Sequence, residues 1–361
     1  MGATSYLMES FSRPISFSTD KPRTATGAWF PAPFQVELRQ EVLPELWPDD
    51  VRVRAIASAI SHGTEMLVYR GQVPSMLDLD LPTLKGGFDF PIKYGYASVG
   101  RVVETGSSVE SLRDGDLVFV HHPHQDEYVV PASMAVRLPS HVEEESALFV
   151  ASLETALGLM HDAAPRLRER IVIFGQGVIG LLLTQLARHA GAGLIIVVDP
   201  IANRRQLART LGADAAFSPD EAIVEAVRDL TDGVGADLVL EASGNGEALQ
   251  QAIECAAFQS TVVVGSWYGT KPVTLCLGQS FHRGRVRLVS SQVSSIDPAL
   301  QPRWNPARRL ATVVSLLPIL ELSPLITHRI PFGSAAKAYD LVDRRPDDTI
   351  QVILVYEDND V

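Results

Sequence analysis

The chain has 361 residues, 46% hydrophobic and 20% charged, a composition that excludes a disordered, collagen-like or coiled-coil protein and has room for two domains of ~150 residues. Its 31 basic against 43 acidic residues give a net charge of −12, which argues against a nucleic-acid partner gripped through its phosphates. Two cysteines, Cys255 and Cys276, supply neither a disulfide framework nor a cysteine-rich zinc site.

Residues 1–18 are polar and broken by Pro14, and Tyr6 stands where a myristoylation signal after Gly2 needs Ser or Thr. No run reaches the ~18–20 apolar residues of a spanning helix, so a cytoplasmic protein without membrane association is expected. The first ~145 residues read as β-rich by their alternating runs. Residues 51–56 alternate as a half-wet strand, and 99–103, 117–120 and 128–130 are further short strands between Gly, Asp and Pro turn signals. Residues 70–90, with Pro74, Pro82 and Gly86-Gly87, read as a long surface loop of the kind that lines binding sites.

The grammar changes near Glu143. Residues 144–160 have helical spacing, 171–174 form an apolar strand, and an amphipathic helix follows glycines through His189. Strands at 194–198, 238–240 and 261–264 alternate with helices at 203–211 and 247–257. Such alternation predicts a parallel sheet wound with helices on both faces. The pattern stops near Val293; a helix at 308–320 and a closing strand at 350–356 complete the chain. The expected organisation is a parallel-sheet domain, 146–293, inserted into a β-rich domain made of 1–145 and 294–361.

Gly175-Gln176-Gly177-Val178-Ile179-Gly180 follows a predicted strand and opens a predicted helix. In that context the first glycine makes the tight turn, the second admits a pyrophosphate to the backbone, and the third allows helix and strand to touch. The helix N-terminus offers free N–H groups and positive dipole to the phosphates. Asp199, 19 residues after Gly180, ends the next strand and can accept both ribose hydroxyls while repelling a 2′-phosphate, which favours NAD over NADP. Arg204 and Arg205 pull the other way, since an arginine there can accommodate a phosphate. Gly233-Val234-Gly235 opens no helix and reads as a turn.

Beyond these residues the chain resembles the medium-chain dehydrogenase/reductase superfamily, the fold of alcohol and sorbitol dehydrogenases, over almost its whole length. The resemblance is carried by His62-Gly63-Thr64-Glu65, Gly95-Tyr96-Ala97-Ser98-Val99-Gly100, Asp114-Gly115-Asp116, Glu127-Tyr128-Val129-Val130-Pro131, the glycine fingerprint, Glu241-Ala242-Ser243-Gly244 and Ile326-Thr327-His328-Arg329. Lys93-Tyr94-Gly95-Tyr96, His122-Pro123-His124-Gln125-Asp126, Ser266-Trp267-Tyr268-Gly269 and Ser290-Ser291-Gln292-Val293 are similar to a zinc-lacking bacterial subgroup related to hydroxyethyl-bacteriochlorophyllide dehydrogenases. The resemblance implies a Rossmann doubly wound parallel sheet inserted in a GroES-like β-rich catalytic domain, a small-molecule substrate, and a homodimer formed through the sheet edge near residues 288–293.

Where zinc-dependent members carry their three metal ligands, this chain has His62, Tyr96 and Ala151, and it lacks the four-cysteine structural lobe between Val120 and Glu127. No zinc is therefore expected. His62, His121, His122, His124, Glu65 and Asp126 are the densest set of potential ligands, yet they read as ordinary polar side chains. Thr64 matches the family's hydroxyl relay at the reacting oxygen, and the relay's usual histidine falls on Leu67. The expected chemistry has Thr64 and Tyr96 positioning the substrate oxygen, His62 or His122 exchanging the proton, and Glu65 orienting the loop or reaching the substrate. Thr155 matches a residue at the nicotinamide, with Val178 and Ile179 beside it, and Ser243, Gly265 and Ser266 end later strands where dinucleotides lie. Tyr69, Phe88, Trp267 and Tyr268 suggest a pocket larger than ethanol needs. The leading reading is a zinc-independent, NAD-dependent alcohol/ketone oxidoreductase. Alternatives are an NAD(P)H-dependent enone or quinone reductase and a non-catalytic dinucleotide-binding protein.

Overall fold

Two large sheets divide the chain in the computed structural model, which describes residues 22–357 apart from 75, 80–82 and 85. The N-terminal stretch read above for signal and lipid motifs, and Pro82 of the long loop, lie outside the described residues. β1 (Thr24–Trp29) and β2 (Glu37–Val42) make an antiparallel ribbon. β3 (Asp50–Ala59), the short helix α1 (Thr64–Tyr69), β4 (Ser98–Thr105), β5 (Leu117–Val120), β6 (Glu127–Pro131) and β7 (Val136–Arg137) follow. Then come α2 (Glu144–Ala147), α3 (Val150–Ala163), β8 (Arg170–Phe174), α4 (Val178–His189), β9 (Leu194–Val198), α5 (Ala202–Thr210), β10 (Ala215–Phe217) and α6 (Ile223–Leu230). β11 (Ala236–Glu241), α7 (Gly246–Cys255), β12 (Ala256–Val264), α8 (His282–Gly284) and β13 (Arg287–Ser290) complete the alternation. The chain ends with α9 (Pro306–Leu316), β14 (Ile326–Pro331), α10 (Ala335–Arg344) and β15 (Gln351–Val355).

The second sheet runs β10-β9-β8-β11-β12-β13, every neighbour parallel. This is the doubly wound order, reversing between β8 and β11, and the crevice at the carboxyl ends of those two strands is where such sheets take ligands. Its strands are continuous apolar runs because helices cover both faces: Ile171, Ile173, Val172 and Phe174 of β8 are all buried. The other sheet is seven-stranded, β14-β15-β3-β4-β5-β7, with β6 also pairing β3. β15 pairs antiparallel with β3 through Ile353 and Ala59, so the chain's end is stitched back into its beginning.

The expected helix over 144–160 is two helices, parted at Phe149, whose ψ of −1° departs from the helical value. The helix expected to reach Ala257 ends at Cys255, because Ala256 turns extended (φ −69°, ψ 136°) and begins β12. The long loop carries no helix or strand among its described residues, yet Val73, Leu79, Leu84, Phe88 and Phe90 tether it to the β-rich core. Tyr69, expected at a pocket wall, is 4% exposed and packs edge-on to Phe30 and Phe34 and against Tyr339. Aromatic burial in the core outweighs a place in the cleft there.

Candidate active site

The glycine turn lies at the reversal point. Gly175 follows β8 with φ +86°, and a Cβ on it would stand 2.8 Å from the Ala242 backbone. A Cβ on Gly180 would stand 1.8 Å from the Gly175 carbonyl oxygen, so this residue is what lets α4 touch the turn. At Gly177 nothing lies within 4 Å, and as N-cap of α4 it provides no side-chain acceptor for the helix's first N–H groups. Open space in front of unsatisfied amides is what a diphosphate requires. The residues present therefore fit a dinucleotide.

Gln176 adds only backbone, since its side chain is buried and bonds the Gly175 carbonyl and the Thr184 hydroxyl. Val178 and Ile179 are partly buried against the main core. Asp199 is 3% exposed, its oxygens accepting the Gln176 and Ile201 N–H groups at 2.6 and 2.8 Å. Its charge thus stands beside the glycine turn, fixed by backbone donors. Arg204 crosses to the C-terminal segment, donating to the carbonyls of Pro346 (2.8 Å) and Thr349 (2.7 Å), while Arg205 caps the carbonyls of Asp199 and Pro200. Ser243 and Gly244 donate to Glu241 Oε1, the Ser266 hydroxyl accepts the Gly244 N–H at 2.8 Å, and Gly265 closes β12 with its N–H on the Glu241 carbonyl. Thr155, half-buried in α3, donates to the Ala151 carbonyl.

The β-rich domain presents its own cluster. The loop before α1 and the strand approach before β4 bring Tyr96 onto Ser61, the phenol donating to Ser61 Oγ at 2.6 Å. Burial pushes the Tyr96 hydroxyl up to about 12, with the Glu65 carboxylate adding to the rise while hydrogen bonds from Ser61 and Thr64 oppose it. Tyr96 is therefore a neutral O–H at physiological pH, facing two further hydroxyls. Behind it Glu65 is fully buried: Oε1 takes His124 Nε2 (2.7 Å) and the Tyr339 hydroxyl, and Oε2 takes the Ser61 N–H (3.0 Å). His124 Nδ1 meets Ser58 Oγ at 2.6 Å, and Ser58 in turn meets the Tyr356 hydroxyl. Glu65 thereby ties the loop before α1 to the buried His124.

Both histidines expected to move the proton are held below the ordinary imidazole value. His122 stacks flat on Tyr128 (3.9 Å, 11°), is 8% exposed, and bonds the Pro123 carbonyl through Nδ1. Burial drives its ring down to about 3, so it stays neutral. His62 is likewise lowered to about 3 by burial, then by Arg204, Arg70 and His328. Its Nε2 has no partner, nor do Arg204 Nε and His328 Nδ1, and of its three neighbours only Arg204, on α5, belongs to the parallel-sheet domain. Sequence reasoning missed Glu154 and Ser61, and weighed His121 only as a metal ligand. His121 bonds the Tyr96 carbonyl (3.1 Å) and Glu154 (3.2 Å), and Glu154 pairs with buried Arg309 of α9 at 3.4 Å. An aromatic row, Tyr96–Tyr94–Phe88–Trp267, leads from this cluster to the other domain, whereas Tyr268 packs into the parallel-sheet core.

Residues 178–312 match the zinc-binding dehydrogenase family. An L-threonine 3-dehydrogenase of Pyrococcus abyssi (strain GE5 / Orsay) is 30% identical over 344 residues, 86% of this chain and 92% of that one. The chain belongs to the medium-chain dehydrogenase/reductase superfamily. It is an alcohol-dehydrogenase-like oxidoreductase, as its motifs implied. A D-guloside 3-dehydrogenase of Escherichia coli (strain K12) is 29% identical over 84% of this chain and 92% of its own. In fold, an alcohol dehydrogenase of Escherichia coli CFT073 complexed with NADH superimposes with a TM-score of 0.76 at 20% identity, covering 92% of this chain and 99% of that one.

The superfamily's zinc does not fit the donors this medium-chain dehydrogenase presents. Ala151 has no donor, Tyr96 offers a phenol that burial keeps neutral, and His62 lies among Arg204, Arg70 and His328. Among the described residues no three His, Cys, Asp or Glu side chains gather to hold a metal ion.

Proposed function

We propose that this dehydrogenase works without zinc, uses NAD, and moves a hydride between the nicotinamide and a secondary alcohol or its ketone. The observation that carries the reading is the hydroxyl cluster, Tyr96 with Ser61 and Thr64, at a position where zinc-dependent relatives are expected to carry a metal ligand. Hydroxyl donors aimed at a carbonyl oxygen stabilise its growing negative charge as a Lewis acid would, with the geometry prepaid by the fold. The nicotinamide, when bound, accepts or supplies the hydride. Tyr96 donates to the substrate oxygen, Thr64 orients it, and the neutral rings of His62 and His122 act as walls. Support for NAD comes from Asp199 beside the turn and from both nearby arginines, whose guanidiniums are engaged with backbone carbonyls. The names of the relatives, sorbitol, threonine and guloside dehydrogenases, support a hydroxylated small-molecule substrate. We further propose a cytoplasmic homodimer joined along β13, an edge strand with Leu288 exposed; no helix among the described residues is long and apolar enough to cross a membrane.

Fluorescence titration of chelator-treated protein with NADH and NADPH, beside a metal assay of the untreated sample, tests the reading. Tight NADH binding after metal removal is expected. A preference for NADPH would move the enone-reductase reading ahead, and binding that disappears with a metal would restore metal chemistry.

A further inference from the structure

Ser61 has no role in any reading of the sequence, yet two independent contacts fix it. Its hydroxyl accepts from Tyr96 at 2.6 Å, and its N–H is held at 3.0 Å by Glu65, which is itself buried completely and clamped by His124 and Tyr339. A carboxylate with no solvent exposure, held by two side chains and one backbone amide, is an expensive arrangement unless the position it fixes matters. Ser61 is half-buried, so one side of its hydroxyl faces Tyr96 and the residue still reaches solvent. The position of the relay histidine in the wider superfamily is Leu67 here, 4% exposed and unable to carry a proton.

We propose that Ser61 is the proton relay of this enzyme, with the buried Glu65–His124 pair as its positioning device. The proposal rests on the role given above to Tyr96. During oxidation the alcohol O–H proton passes to Tyr96 Oη as the Tyr96 proton passes to Ser61 Oγ, and the Ser61 proton leaves to water. The C–H bond breaks with its electron pair going to the oxidised nicotinamide, so one hydride and one proton leave the alcohol and a ketone remains. Ketone reduction runs the same path backwards. The groups facing the Tyr96 hydroxyl are Ser61 from the loop and Thr64 and Glu65 from α1, while Tyr94 packs edge-on to its ring and His121 touches only the Tyr96 carbonyl.

The test follows the Tyr96 phenol directly, by carbon-13 NMR of ring-labelled tyrosine in the NAD-bound protein, with Tyr96→Phe assigning the signal. In ~pH 11 buffer, Ser61→Ala should lower the ionised fraction of Tyr96 and Glu65→Gln should raise it, because one change removes a donor to the phenolate and the other an opposing charge. Ser61→Thr should restore the original fraction, and NADH affinity should stay within ~2-fold in Ser61→Ala, a change of under ~0.5 kcal/mol. Opposite shifts are outside the reach of a purely structural role. With an alcohol that the enzyme turns over, Ser61→Ala should slow proton release at least ~10-fold and Ser61→Thr should recover it. A Tyr96 signal indifferent to Ser61→Ala, in protein that still binds NADH, overturns the relay alone. Loss of NADH binding by the unmodified protein would instead remove the dehydrogenase reading beneath it.

Discussion

At the scale of single residues, the glycine fingerprint separates into two kinds of requirement. Gly180 is steric: a methyl group there meets the Gly175 carbonyl at 1.8 Å, so Gly180→Ala should lower the melting temperature by several degrees and abolish cofactor binding together. Gly177 has open space and dihedrals (φ −72°, ψ −168°) that any residue adopts, so Gly177→Ala should melt within ~1–2 °C of the parent while weakening NADH at least ~10-fold. Calorimetry and fluorescence titration on the same two samples decide this. His122 offers a second contrast. Its folded pKa lies near 3 against 6.5 for a free ring, so protonation favours the unfolded chain. The stability it allows is present above ~pH 6.5 and drains away as pH falls toward 3. His122→Phe, which keeps the stack on Tyr128, should flatten the acid side of the stability profile and leave turnover nearly unchanged. A ~10²-fold loss of turnover would return His122 to the role of general base. The glycine motif was legible because spacing alone defines it. The orientation of His122 was not, because a side chain just past β5 turns to one face or the other according to which aromatic receives it, and Tyr128 is adjacent only in space.

Among the elements, the four inner strands of the parallel sheet, β8, β9, β11 and β12, were readable because burial on both faces makes them unbroken apolar runs, whereas β10 and α6 went unread. β13 and β14 were not, since edge exposure mixes charges into them, with Arg287 in one and Arg329 in the other. The helix expected at 308–320 is α9, and its place on α3 could not be foreseen because it rests on contacts between residues far apart in the chain, apolar packing and a buried ion pair together. Glu154 of α3 and Arg309 of α9 are 8% and 7% exposed, and Arg309 Nη1 has no partner. Burial alone would raise the Glu154 carboxyl, but His121 and Arg309 together hold it below its ordinary value. That contribution is present above the free carboxylate range and is lost as pH falls through the lowered value. Glu154→Ala, leaving Arg309 buried and unpaired, should cost ~3–5 kcal/mol in denaturant unfolding, whereas Glu154→Leu with Arg309→Met should cost far less. Equal losses in the single and double variants would show that packing, not charge, joins these helices.

Across the whole molecule, the order of the parallel sheet and the return of β15 to β3 agree with the insertion expected from the sequence. The seam between the two sheets is bridged by polar contacts as well as packing. Arg204 holds the carbonyls of Pro346 and Thr349, so Arg204→Ala should speed amide exchange in residues 346–351 while leaving the exchange of β8 and β11 unchanged. The aromatic row from Tyr96 to Trp267 crosses the same seam, which places Trp267 fluorescence as a reporter of the domains' approach.

The largest apolar cluster does not respect the division into domains. Ala57, Val99 and Phe119 of the β-rich sheet, Leu153 and Leu159 of α3, Ile171 and Leu240 of the parallel sheet, and Val313 of α9 all belong to one buried set. Two domains that share a core melt as one cooperative unit, because neither can lose its packing without exposing the other's. A calorimetric scan should therefore show a single peak with equal van't Hoff and calorimetric enthalpies, and a fragment cut to residues 146–293 should aggregate, having lost more than a third of that core. The enzyme's cleft would then open by sliding along a fused interior and not by swinging two independent bodies on a hinge.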